Sequence, residues 1–427
     1  MRIYLGSLGC KLNQSEMDAL AIQLAQAGHQ IVGQPGEANL CIFNTCAVTH
    51  VAAQKSRQAL RRLHRENPSA SLIVTGCYAE LSPEEVQDLP GVEWVIGNRA
   101  KELLGERIGN LRPGVPSSPV CSPSFPLPHF RTRAFVKIQD GCDNACSYCV
   151  IRLARGPQRS RPADQVLDEV RMRLAVGYQE VVLTGVHIGA YGADREGSLQ
   201  GLDLWGLITR ILAETNVPRL RLSSIEPWDL SERAFSCWDD GRLCRHLHLP
   251  LQSGCTATLQ RMARRYTAAE FAAWVSAARA AIPGLAVTTD VIVGFPGETE
   301  EEFAESLQFV EALGFARVHV FPYSPRPGTP AAEMPRQVPA SVKAERARVL
   351  HTVAVAAARA FARQFVGQTV QVLWESASLT PAGLLWKGLT DNYLRVSAVH
   401  PAALKNTFTP VRLVAVTETG LQGEIIA

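Results

Sequence analysis

Short apolar runs alternate with amphipathic stretches through most of residues 1–360, and this alternation restricts the chain to a layered α/β architecture. The first series predicts strands at 2–8, 39–43, 71–75 and 93–96, with helices at 14–27, 52–65 and 83–88. The second predicts strands at 134–138, 180–184, 219–223, 246–250, 286–293 and 317–321, with helices at 163–175, 204–214, 268–281 and 300–313 between them. Each series implies a parallel sheet that binds ligands at the carboxyl ends of its strands. Six βα units are too few for a complete eight-stranded barrel, so the second series implies a partial (β/α)6 barrel.

A chain of 427 residues exceeds the size at which one core stops growing. Composition marks the divisions. Residues 106–132 are rich in Pro, Ser and Arg and read as an extended linker. Residues 365–427 carry short β-like runs at 368–375, 383–388, 393–396, 410–416 and 421–426, the pattern of a small antiparallel barrel. The expected units are therefore an α/β domain over 1–105, a linker over 106–132, a partial barrel over 133–360 and a β-barrel over 365–427. Barrels of this last kind either bind RNA or brace an enzyme. In the first case Arg363, Lys387, Arg395, Lys405 and Arg412 supply phosphate contacts, and Tyr393, Trp386 or Phe408 stack on bases.

The 43 Lys+Arg and 40 Asp+Glu residues nearly balance, so any nucleic-acid binding must come from local patches. Eleven cysteines are too sparse for a disulfide scaffold. The amino terminus enters a strand directly, and no apolar run is long enough to span a bilayer. We expect a cytoplasmic monomer that contacts no membrane. In that setting clustered cysteines are metal ligands or redox groups.

Cys142, Cys146 and Cys149 have the spacing C-x3-C-x2-C in a turn just after the first strand of the partial barrel. Three thiolates so placed lack the fourth ligand of a closed zinc site and suit an iron-sulfur cube with one open iron. Cys10, Cys46 and Cys77 each follow a strand of the first series, beside Gly9, Asn44-Thr45 and Gly76, and parallel topology brings such positions to one edge. Cys41, Cys121, Cys237, Cys244 and Cys255 are assigned no role. Turns at consecutive strand ends face the Cys142 loop. Tyr148 within that loop, then Thr184 and Gly185, Ser223 and Glu226, Gln252, and Val293 and Gly294, are the candidate contacts for a nucleoside-like cofactor on the open iron. Arg152, Arg155, Arg159 and Arg161 follow closely, either as phosphate clamps or as a solvated face.

With these residues in view, the chain resembles the radical S-adenosylmethionine (SAM) methylthiotransferases over nearly its whole length. The six cysteines carry the resemblance, together with Arg155-Gly156, Arg159-Ser160-Arg161, the stretch 248–254 and the stretch 293–298. It implies two 4Fe-4S clusters. The one on Cys142, Cys146 and Cys149 would bind and cleave SAM; the one on Cys10, Cys46 and Cys77 would carry the inserted sulfur. It also implies a TRAM-like carboxyl-terminal domain, a tRNA substrate, and an electron donor and sulfur source that the sequence does not identify. The stretch 183–192 is similar to the branch acting on N6-threonylcarbamoyladenosine at position 37, next to the anticodon. The Gln-Asn and Gln-Asp sequences of the isopentenyl-adenosine and ribosomal-protein branches are absent. Arg152 departs from the family's common proline. Other adenosines or a ribosomal-protein aspartate are alternative substrates, and a non-catalytic iron-sulfur RNA sensor is the alternative of another class. The residue that removes the C2 hydrogen is not legible.

Overall fold

The four apolar runs near the amino terminus form a parallel sheet in the computed structural model, which describes residues 1–109, 132–194 and 201–426. Most of the Pro/Ser-rich linker, with Cys121, lies outside the described residues. The strands are β1 (Arg2–Ser7), β2 (Gln30–Val32), β3 (Leu40–Thr45), β4 (Ser71–Gly76) and β5 (Val92–Ile96), in the order β2-β1-β3-β4-β5. The central strand β3 is buried along its whole length, as a strand covered by helices on both faces must be. At three residues β2 was too short to show a period, and the sequence reading missed it. Helix α1 (Lys11–Gln26) starts earlier than its apolar pattern suggested, because Cys10 adopts the extended N-cap conformation directly after β1. Helix α2 (His50–Glu66) is capped by the Thr49 side chain.

The second series forms β6 (Arg133–Lys137), a two-residue ribbon of β7 (Gln139–Asp140) with β8 (Arg159–Ser160), and then β9 (Glu180–Thr184), β10 (Arg219–Leu222), β11 (His246–His248), β12 (Ala286–Val293) and β13 (Arg317–Pro322). Strands β10-β9-β6 form one parallel sheet and β11-β12-β13 another. Parallel bridges at Leu220–Leu243 and Ser224–His248 join them into a six-stranded open barrel. The β7–β8 ribbon ties the base of the loop that carries Cys142, Cys146 and Cys149. The helices Ala268–Ala281 and Glu300–Leu313 begin at capping boxes, Thr267 with Glu270 and Thr299 with Glu302.

A long helix, Ala340–Arg363, leads into β14 (Thr369–Thr380), β15 (Gly383–Leu389), β16 (Arg395–Val399), β17 (Phe408–Val416) and β18 (Leu421–Ile425), closed in the order β14-β15-β16-β18-β17. All pairs are antiparallel except β16 with β18. The barrel docks under the amino ends of the core strands. Arg221 donates to the carbonyls of Thr390 and Asp391, and Arg245 pairs with Asp391 at 2.6 Å. This docking corrects the expectation for the aromatics. Trp386 is buried in the barrel core, Tyr393 stacks on His246, and Phe408 lies 4.5 Å under the Arg219 guanidinium. Rings committed to packing cannot stack on bases. Arg363, Lys387, Arg395, Lys405 and Arg412 are exposed. No helix among the described residues is long and apolar enough to cross a membrane.

Candidate active site

Three of the six cysteines directly follow a glycine whose φ is positive: Gly9 (+108°), Gly76 (+99°) and Gly141 (+69°). Only glycine adopts such angles at no cost, and here space forbids a side chain as well. A Cβ on Gly9 would lie 2.7 Å from Cys46 Cβ, and one on Gly141 would lie 1.9 Å from the Pro157 carbonyl oxygen. The first contact shows that the ends of β1 and β3 bring Cys10 beside Cys46. Cys10 and Cys77 both act electrostatically on Cys46, so the trio converges as parallel topology predicted. Cys10 is exposed, whereas Cys46 and Cys77 are buried. Cys142, Cys146 and Cys149 form a second mutually interacting trio in the β7–β8 loop.

Burial pushes the Cys46 thiol up to about 11 and the Cys149 thiol to about 12. The protein alone therefore keeps these groups protonated, and metal binding would make them thiolates. Among the described residues no three His, Cys, Asp or Glu side chains converge on a single metal ion. A cube takes its three thiolates on three different irons, so its ligands stand further apart. Cations stand beside both trios. Arg264 donates to Cys146 Sγ at 3.5 Å, and the Arg155 charge acts on Cys77. Arg326 also faces Cys46, and its buried Nε has no partner among the described residues. Thiolate-ligated clusters are anionic, and these guanidinium groups suit that charge.

Arg155 is the hub between the trios. It is 2% exposed and donates to Glu16 Oε1 and Asp140 Oδ1, both at 2.9 Å, and to Asn13 Oδ1 at 2.7 Å. Asn13 in turn donates to the carbonyls of Leu8 and Thr45, which flank Cys10 and Cys46. Lys101 donates to Glu16 Oε2 at 2.6 Å, and Lys137 pairs with Asp140 at 2.8 Å. This corrects the reading of Arg155 as part of a solvated face. Arg161 is half-buried, donating to Glu169 and the Lys137 carbonyl, whereas Arg152 is exposed.

A cavity opens over the Cys142 loop. Of the residues expected at the cofactor, Tyr148, Glu226 and Gln252 line it, with Ser224, Val186, His187, Arg264 and Asp290. Thr184, Gly185, Ser223, Val293 and Gly294 are not among its lining residues. Side chains alternate along a strand, so Ser224 faces the cavity while the Ser223 hydroxyl is buried without a partner among the described residues. At the next strand end the lining shifts on to Val186 and His187. Gly294, at φ +71°, lies instead against the Lys343 side chain. Both Glu226 oxygens accept from Arg264, which holds that guanidinium over Cys146. Gln252 sits at φ +69°, an unusual angle for a side chain of its kind, pinned by backbone bonds to Asp290 and Ile292. His187 Nε2 lies 2.8 Å from Asp229 and its Nδ1 lies 3.3 Å from Asn144 Nδ2. The sequence reading missed Arg264 and Asp229, which no local pattern marks.

Comparison with known proteins agrees with this geometry. Residues 2–97 match the uncharacterized protein family UPF0004, and residues 136–310 match the radical SAM superfamily. The threonylcarbamoyladenosine tRNA methylthiotransferase MtaB of Bacillus subtilis (strain 168) is 40% identical over 91% of this chain and 88% of its own. That of Thermotoga maritima is 37% identical over 97% of this chain and 95% of its own. The tRNA-2-methylthio-N(6)-dimethylallyladenosine synthase of Alkalilimnicola ehrlichii is 35% identical over all of this chain and 97% of its own. Among solved structures, the radical SAM methyltransferase TsrM of Kitasatospora setae superposes with a TM-score of 0.55 at 16% identity, covering 78% of this chain and 77% of that one, a likeness of fold. With two cysteine trios set across a shared arginine, and relatives of this similarity along its length, the chain belongs to the radical-SAM methylthiotransferase family.

Proposed function

We propose that the protein methylthiolates C2 of N6-threonylcarbamoyladenosine at position 37 of tRNA, giving the 2-methylthio derivative. The observation that carries this reading is the meeting of the two trios across Arg155, supported by relatives named for that substrate at up to 40% identity. The adenine C2–H is neither acidic nor electrophilic, so acid–base side chains alone cannot replace it. Cys142, Cys146 and Cys149 would hold a 4Fe-4S cluster at which bound SAM would supply a 5′-deoxyadenosyl radical, and Cys10, Cys46 and Cys77 would hold the cluster that would supply the sulfur.

The chain's own residues position these partners. Arg264, locked by Glu226, keeps positive charge over the Cys146 sulfur. Tyr148, Gln252, Ser224 and Glu226 wall the cofactor cavity, and the Arg155 hub fixes the separation of the two trios. Residues 1–105, 133–360 and 365–427 would act as sulfur donor, radical generator and tRNA platform. Mass spectrometry of tRNA nucleosides from a deletion strain tests the substrate. Loss of the 2-methylthio form of threonylcarbamoyladenosine supports the reading. Its persistence without a second enzyme, or loss of a methylthiolated dimethylallyladenosine instead, overturns it.

A further inference from the structure

The segment after β13 is tied to the loops that carry both cysteine trios. At its start the backbone N–H of His50, which follows Cys46 on the same loop, donates to the Ser324 hydroxyl at 3.1 Å. At its end the Ala331 N–H donates to the carbonyl of Ser147, between Cys146 and Cys149, at 2.8 Å. Between these ties the chain reads Ser324-Pro325-Arg326-Pro327-Gly328-Thr329-Pro330. Its prolines fix φ, and Thr329 closes a turn by donating its backbone N–H and its hydroxyl to the Arg326 carbonyl at 3.1 and 2.7 Å. At the base Tyr323 packs edge-on against Phe295 at 5.3 Å, and Phe295 against Tyr148 of the Cys142 loop at 6.4 Å. A segment held at both ends and stiff in the middle keeps its central residue in one place.

That residue is Arg326, and it is only 9% exposed. The other buried arginines among the described residues, Arg155, Arg173, Arg219, Arg221, Arg264 and Arg346, each form a salt bridge with a carboxylate. The Arg326 guanidinium has no ion pair or hydrogen bond among the described residues, and its Nε is sealed from solvent. Glu85, the carboxylate that acts on it from a distance, is already taken by the Tyr78 hydroxyl at 2.7 Å and by Arg57 at 3.8 Å. Cys46 also acts on the Arg326 charge, in keeping with the tie at His50. A buried guanidinium with its donors free costs stability, and an entering anion offsets that cost.

We propose that Arg326 binds the sulfur anion, sulfide or its methyl thiolate, that the site on Cys10, Cys46 and Cys77 passes to the substrate. The inference rests on the proposed function above. On that reading the base, SAM and the transferred sulfur meet between the trios. Adenine is neutral and SAM carries a net positive charge, so the sulfur is the anion of the three. A tRNA phosphate is strongly hydrated and is usually held by several exposed donors, whereas Arg326 is single and nearly sealed. A soft, weakly hydrated sulfur anion suits one weakly hydrated guanidinium. Arg264 and Arg155 cannot take this part, because their donors are spent on Glu226, Glu16 and Asp140.

The test titrates sodium sulfide and sodium methanethiolate separately into the reconstituted, dithionite-reduced full-length enzyme and follows the electron paramagnetic resonance signal of its clusters. R326Q should weaken the binding of one or both anions roughly 10- to 100-fold, the range of one charged hydrogen bond, and the anion affected identifies the form that Arg326 holds. R326K should retain part of the affinity. Iron content should match wild type, and metal-free R326Q should melt no lower than wild type, because the substitution strands no partner. Equal affinity of wild type and R326Q for both anions overturns the assignment; if KM for tRNA rises at the same time, the residue is a phosphate contact. Loss of iron from R326Q, or a lower melting temperature, marks a structural cation and overturns it too. If wild-type protein takes up neither anion, the sulfur-carrying role in the proposed function is what fails.

Discussion

At the scale of single residues, the site depends on positions with no chemistry of their own. Gly9 has no side chain because Cys46 occupies the space a Cβ would need, at 2.7 Å. Gly9→Ala should therefore displace Cys10 from Cys46 and lose one of two clusters. Iron analysis should show about half the wild-type content, with 5′-deoxyadenosine still formed and methylthio product absent. Glu16 is the counterpart of Arg155. Burial pushes its carboxyl up, but Lys101, Arg155 and Lys137 outweigh this and hold it well below its ordinary 4.5. Its stabilisation is therefore complete above that value and lost as the pH falls through the depressed one. Glu16→Gln should cost the metal-free protein about 3–5 kcal/mol at neutral pH, because it strands the buried Lys101 ammonium and leaves Arg155 with Asp140 as its one carboxylate partner among the described residues. In thermal scans the gap to wild type should stay constant above about pH 5 and narrow steadily in acid.

At the scale of elements, the carboxyl-terminal barrel separates two jobs that its sequence left entangled. Its rings face inward or against the core, and its candidate phosphate contacts face outward. Trp386→Ala should thus cost about 3–5 kcal/mol of stability, the usual range for a buried large aromatic, and lower the melting temperature. Lys387→Glu should leave stability nearly unchanged and weaken tRNA binding. The slope of log affinity against log salt should fall by about 1 for each phosphate contact removed. If Trp386→Ala left stability unchanged and weakened tRNA binding, the inward assignment would be wrong. Element boundaries were legible where periodicity and caps were local. The helix Glu300–Leu313 begins at Thr299 and ends at Gly314, both visible in the sequence. The pairing of β16 with β18 in parallel was not, because it depends on closure of the whole barrel.

At the scale of the whole molecule, the Arg155 hub joins the two α/β units, binding Asn13 and Glu16 of α1 on one side and Asp140 on the other. On the proposed function the two trios divide the labour. Cys146→Ala should abolish SAM cleavage and with it all product. Cys46→Ala should retain some 5′-deoxyadenosine formation under dithionite while losing methylthiolation; product without loss in Cys46→Ala would refute the division. The barrel belongs to the same assembly, since Arg219, Arg221 and Arg245 of the core each bind its backbone or carboxylates.

The sequence by itself determined the two α/β series, the six cysteines and the strand ends they follow, because a repeat of 2 or 3.6 residues and a ligand beside a glycine are local signals. It also carried the family resemblance. Only the tertiary structure decided which side of each strand end faces the cavity over the Cys142 loop, moving the lining from Ser223 to Ser224 and from Thr184 to His187. It alone turned Arg155 from a surface charge into a buried hub and paired Arg264 with Glu226. These contacts join residues up to 142 positions apart across separate units. Their energy comes from burial and charge pairing after docking, which leave no periodic trace along the chain.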